Sequence, residues 1–221
     1  MDRAERALAH GSTVQQSAVA HHFETLAQQR EANTLGMWLF LATEVLFFGA
    51  LFAVYSVYHS AYSSAFVEAS SHLDVWRGTI NTVFLLTSSL TMALAVHAAE
   101  ARQRRRMVLM MAATAVLGLI FLGVKATEYY TEYEEQLIPG LIFVWEGTNA
   151  RGAQLFFTIY FVMTGLHAIH MIIGLAVLAV MMVFGWRGGY EVDPMPVERF
   201  GLYWHFVDIV WIFLFPLLYL M

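Results

Sequence analysis

The chain has 221 residues, 59% hydrophobic and only 13% charged, with a mean hydropathy of +0.59. A soluble domain carries about 25% charged residues, so the composition argues against a water-soluble globule. The net charge of −5 argues against nucleic-acid binding. The lack of cysteine removes disulfides, thiolate zinc sites, iron–sulfur clusters and covalently attached c-type haem.

In chain order, residues 1–34 form a polar tail with no apolar core, so no cleavable signal peptide is expected. Residues 22–33 read as a short surface helix leading into the first span. A membrane-crossing helix needs about 20 apolar residues. Five stretches meet this, at about 35–58, 78–99, 107–126, 153–184 and 200–221. The fourth would be ~48 Å long at the helical rise, so it must tilt or protrude. The runs are continuously apolar and lack the short alternation of a membrane barrel. The expected fold is an all-α polytopic membrane protein, with a tail at 1–34 and a five-helix membrane domain at 35–221. Lys and Arg number nine on one set of alternate connections and two on the other. The positive-inside rule then places the N-terminus in the cytoplasm and the C-terminus outside. On this reading the third connection is outside and acidic, with Glu128, Glu132, Glu134, Glu135 and Glu146. A solvated face is the plain reading of these glutamates, and a docking patch for a basic protein the sharper one.

Ionisable residues at membrane depth are costly, so each is a site candidate. Glu44 has only Phe40, Leu41, Phe47 and Phe48 as same-face neighbours on its helix. It reads as a buried carboxyl bonded to another helix, or as a proton-handling group. His167 and His170 are three apart and share a helix face. Interhelical hydrogen bonding and metal ligation are both open to them, but a metal needs more ligands at that depth. His205 and Asp208 are also three apart, where a carboxylate can fix an imidazole tautomer or form a structural pair. Asn81, Thr82, Thr87, Ser88, Ser89 and Thr91 crowd the second span and suit close interhelical packing; a pore lining is the alternative. His97 and Glu100 end that span beside Arg102, Arg104, Arg105 and Arg106. They read either as proton-collecting groups or as part of a positive-inside anchor.

Five segments in order resemble subunit III of cytochrome c oxidase, the heme-copper oxidase family's third subunit. WLFLATEVLFFGALFAVY, holding Glu44, resembles the third helix of the seven-helix members. NTVFLLTSSLTMALAVHAAE resembles the next helix, and EYYTE the acidic exit of the helix after it. FFTIYFVMTGLHAIHMIIG resembles the T-G-x-H-x-x-H helix, and GLYWHFVDIVWIFLFPLLY the closing W-H-F-x-D-x-V-W helix. The match runs from about Gly36 to Met221. Two helices that precede the first motif in seven-helix members have no counterpart here, as in the five-helix bacterial form.

The resemblance implies a non-catalytic subunit of a proton-pumping terminal oxidase in the bacterial inner membrane. It implies packing on subunit I, with subunit II nearby, and support for proton uptake and durability. It places haem and copper in those partner subunits, with no metal or other cofactor in this chain. It implies bound phospholipid, in a cleft that needs two further helices, and makes Arg187 the candidate for lipid phosphate. Glu44 favours a cytochrome c oxidase over a quinol oxidase. The same role in a quinol oxidase or a nitric-oxide-reductase complex is the nearest alternative. From the residues alone, an independent proton or ion transporter using Glu44 and Asp208, or a membrane metalloenzyme using the histidines, also stands.

Overall fold

The computed structural model describes residues 26–140, 142–147, 149–190 and 193–221. Most of the polar tail, with His10, His21 and His22, lies outside the described residues. The helices are α1 (Leu26–Ala61), α2 (Ser63–Ser70), α3 (Val75–Glu100), α4 (Arg104–Glu134), α5 (Ala150–Trp186) and α6 (Met195–Tyr219). Between α4 and α5 lies an antiparallel pair, β1 (Leu137–Ile138) and β2 (Ile142–Phe143). All the helices except α2 are long and apolar enough to cross a membrane. The chain is an all-α membrane protein with five such helices among the described residues.

Four of the five expected spans sit inside these helices and the fifth, 200–221, overruns α6 by two residues; the helices begin and end differently because caps, not apolarity, stop a helix. Asp74 starts α3: its Oδ1 accepts from the amides of Trp76 at 3.0 Å and Arg77 at 3.2 Å. Asn149 starts α5 by accepting from Gly152 N at 3.0 Å. After α5, Gly188 turns to φ 85°. Its amide bonds Gly185 O and that of Gly189 bonds Phe184 O, a Schellman closure. The same closure ends α3 with a non-glycine: Arg102 sits at φ 55°, with Arg102 N on Ala99 O and Gln103 N on Ala98 O. The residues expected to form a separate surface helix differ as well. From Leu26 they are continuous with α1, because no breaker separates them from the span.

The chain divides into two units at Leu46. The described residues up to Leu46 are one unbroken helical stretch with mostly exposed apolar side chains, among them Leu35, Trp38 and Leu39. From Phe47 onward, α3 to α6 pack into a bundle, with α2 against α5. The buried positions of α4 are Met107, Met111, Thr114, Gly118, Phe121, Lys125, Glu128 and Glu132. They alternate in steps of four and three. Those of α3 do likewise, through Gly78, Asn81, Leu85, Ser88, Met92, Ala95 and Ala99. A mean spacing of 3.5 keeps one seam on a neighbouring helix along its whole length.

Small residues let the helices approach. A side chain at Gly174 would meet the Trp204 and Tyr203 rings at 3.1 Å, and one at Gly118 would meet Trp204 at 3.2 Å. The Trp204 indole, fully buried, thus fills space that two glycines leave on α4 and α5.

Candidate functional site

The seam of α4 runs past the expected end of its span and carries charge with it. Lys125, Glu128 and Glu132 fall at i, i+3 and i+7 and are 4%, 3% and 4% exposed. Glu128 and Glu132, read from sequence as part of a solvated acidic loop, are therefore buried helix residues. The loop reading failed because the helix does not stop where the apolar run does.

An ammonium has three donors and no acceptor, and Lys125 uses all three. Its Nζ lies 3.0 Å from Glu128 Oε2, 2.9 Å from the Tyr160 hydroxyl and 2.9 Å from the Tyr219 hydroxyl. Tyr219 in turn donates to Glu128 Oε1 at 2.5 Å. The rings of Tyr160, Tyr129, Trp211 and Tyr219 stand within 4.9–5.6 Å of the ammonium, close enough for cation–π attraction. One knot thus ties α4, α5 and the last residue of α6. Glu132 brings a second carboxyl to the same lysine. Its two buried oxygens make no hydrogen bond. Tyr129 closes this end by bonding Thr164 at 2.6 Å.

His167 lies next to the knot. It is buried between Phe121 and Trp211, at ring-centroid distances of 5.5 and 5.3 Å. Neither ring nitrogen has a hydrogen-bond partner, so the expected interhelical bond is absent and the ring packs as an aromatic. Asn81 reaches the same place from α3, donating to Phe121 O at 3.3 Å while its Oδ1 stays unpaired. His170, half-buried, turns to its own helix, with Nδ1 2.8 Å from Leu166 O, and meets the Phe48 ring at 5.2 Å. His167 and His170 thus share a helix face but not an environment.

The next polar contacts join α3 to α6 and α4. Thr82 Oγ1 accepts from Trp211 Nε1 at 3.0 Å, and Ser88 Oγ accepts from Trp204 Nε1 at 2.8 Å. Thr91 and Thr114 share a 2.7 Å hydroxyl contact. The hydroxyls of Thr82, Ser88 and Thr91 thus bond across helix contacts, whereas the exposed Thr87 donates to Val83 O of its own helix. Ser89 Oγ lies 2.7 Å from His205 Nδ1. That contact, not Asp208, orients the half-buried His205. Asp208 is buried with neither oxygen hydrogen-bonded. The expected His205–Asp208 pairing is therefore not formed.

Glu44 is half-buried. At the far end of α3, His97 Nδ1 is 3.9 Å from Glu100 Oε2, with side chains 80% and 53% exposed. Arg187 is exposed and caps α5. Among the described residues, no three His, Cys, Asp or Glu side chains gather as metal ligands.

Comparison with known proteins places this arrangement. The family model described as Cytochrome c oxidase subunit III matches residues 10–221. The chain belongs to that family. Cytochrome c oxidase subunit 3 of Thermostichus vulcanus is 32% identical over 215 residues, covering 95% of this chain and 97% of that protein. Quinol oxidase subunit 3 of Bacillus spizizenii is 31% identical over 190 residues, covering 86% and 87%. Cytochrome c oxidase subunit 3 of Alkalihalophilus pseudofirmus is 30% identical over 202 residues, covering 90% and 92%. Relatives of both donor types thus lie equally near this subunit III chain. Sequence reasoning missed Lys125, Tyr160 and Tyr219 as a site, and Glu128 and Glu132 as its acids. The signal was present: the steps of four and three on α4 continue unbroken from Met107 to Glu132.

Proposed function

We propose that this chain is the non-catalytic subunit III of a proton-pumping terminal oxidase of the bacterial plasma membrane, packed against subunit I near subunit II. The observation that carries this reading is the family match along residues 10–221, with relatives named as subunit 3 of such oxidases. The internal chemistry is compatible with it. Lys125 spends its three donors on Glu128, Tyr160 and Tyr219, and His167 is enclosed by aromatic rings. These are structural uses of polar groups, with haem and copper left to the partner subunits and none in this chain. Support of proton uptake by subunit I falls to the exposed pair His97 and Glu100. Phospholipid binding completes the role.

The donor is proposed to be cytochrome c, on the glutamate at position 44; the quinol-oxidase relatives carry the alternative. Affinity purification of the tagged chain from its native membrane tests both statements. Co-purifying haem-containing subunits that oxidise reduced cytochrome c support them. Oxidation of quinol alone moves the chain to the quinol-oxidase branch. A chain that purifies alone and conducts ions in liposomes overturns the oxidase role.

A further inference from the structure

We infer that Met221 is a site of reversible oxidation by peroxide-class oxidants, and that the Tyr55 hydroxyl directs the incoming oxygen to one side of its sulfur. The inference does not depend on the oxidase role.

Two observations single out this thioether. The first is access. Of the methionines among the described residues, Met221 alone is exposed, at 38%. Met111, Met163 and Met171 are fully buried, and Met37, Met182 and Met195 are half-buried. A thioether is oxidised where the oxidant can reach its sulfur.

The second is placement. Met221 lies two residues past α6, yet it is tied at two points. Ser70 Oγ, on α2, donates to Met221 O at 3.4 Å. The Tyr55 hydroxyl, near the end of α1, lies 3.0 Å from Met221 Sδ and also donates to Leu217 O. Tyr55 is itself fixed. It is buried, stacks on His59 at a ring-centroid distance of 6.0 Å, and meets Phe66 edge-on at 5.6 Å. Whichever acceptor holds the proton, the hydroxyl oxygen stands against one side of the sulfur.

A thioether sulfur presents a lone pair on each side of its C–S–C plane. Tyr55 covers one side, so attack on a peroxide is left to the other. The free lone pair forms the new S–O bond as the peroxide O–O bond breaks. The second peroxide oxygen takes the proton of the transferred oxygen and leaves as water or alcohol. Sulfur is oxidised by two electrons and the peroxide is reduced by two. The sulfoxide is chiral at sulfur, and a separate reductase repairs each epimer. One-sided attack therefore gives one epimer, which one of the two reductases can restore. The modified side chain sits where the end of α1, α2 and the end of α6 meet, so oxidation alters a contact between elements.

The test is mild hydrogen peroxide treatment of the affinity-purified chain, with whatever subunits accompany it, followed by digestion and mass spectrometry. Met221 should be the first methionine of the chain to gain an oxygen, ahead of Met37, Met182 and Met195. The peptide that carries it should then lose that oxygen to one epimer-specific reductase and resist the other. The same peptide, oxidised only after digestion, is the reference and should be reduced equally by both. Tyr55→Phe keeps the ring and removes the hydroxyl; it should retain the early oxidation and lose the epimer bias. Oxidation of Met221 no earlier than that of the half-buried methionines overturns the site. Equal reduction by both enzymes in the wild type overturns the role of Tyr55, as does an unchanged bias in Tyr55→Phe. Should that variant fail to assemble, the native and digested wild-type samples decide the matter between them.

Discussion

Lys125 Nζ and Glu128 Oε2 lie 3.0 Å apart, one helical turn from each other, with both side chains at or below 5% exposed. Taking two charges out of water costs several kcal/mol each, and mutual attraction returns it only when every remaining donor and acceptor is used. Tyr160 and Tyr219 supply what the pair lacks. The pair is consequently sensitive to the loss of either member and much less so to the loss of both. Lys125→Met or Glu128→Leu alone should each destabilise by about 3–5 kcal/mol. The double variant should lose far less than the sum, read as a double-mutant cycle on unfolding in detergent. Additive losses would show that the two residues act independently.

Trp204 gives a second test, of packing alone. Gly174→Val pushes a side chain into the Trp204 and Tyr203 rings, which a Cβ would already meet at 3.1 Å. Overpacking of this kind costs about 1–3 kcal/mol. Adding Trp204→Leu should recover part of the loss, measured by thermal unfolding. A loss unchanged in the double variant would place the strain elsewhere.

His167 is expected to behave as an aromatic, because neither ring nitrogen is hydrogen-bonded and its neighbours are Phe121 and Trp211. His167→Phe should change stability by less than about 1.5 kcal/mol, as near-isosteric core swaps do. His167→Asn, which keeps polarity and loses the ring, should cost more and weaken retention of the subunit in detergent. The haem spectrum of the assembled enzyme should be the same in both. A lost haem or copper signal with the subunit still bound would contradict the non-catalytic role.

His97 and Glu100 are exposed and close at the mouth of an arginine-rich turn. If they collect protons for subunit I, their field and exchange matter most when protons are scarce. His97→Ala with Glu100→Ala should then slow oxidase turnover above neutral pH and leave it unaltered in acid. A flat ratio of variant to wild-type rate across that range would reduce the pair to a membrane anchor.

The sequence by itself determined the five spans and the family. Twenty-residue apolar runs admit few structures in lipid, because each backbone group must be bonded within its own helix. The spacing of Asn81, His167, His205 and Asp208 within those runs could be read directly. What each of them touches could not. His205 and Asp208 are three apart, yet the imidazole bonds Ser89 on α3 while the carboxylate oxygens remain unbonded. His167 and His170 are three apart, yet one is enclosed by rings and the other bonds its own backbone. A shared helix face is a property of the chain, whereas a partner belongs to the helix opposite, often ~100 residues away. The same reason hid the knot at Lys125. Tyr219 lies 94 residues further on, and only the bundle, in which α6 packs against α3 and α5, brings its hydroxyl to the ammonium. Composition made Glu128 and Glu132 look like surface, since charge ends an apolar run. The tertiary structure decided otherwise, because a seam with a 3.5-residue repeat stays buried as long as neighbouring helices run beside it.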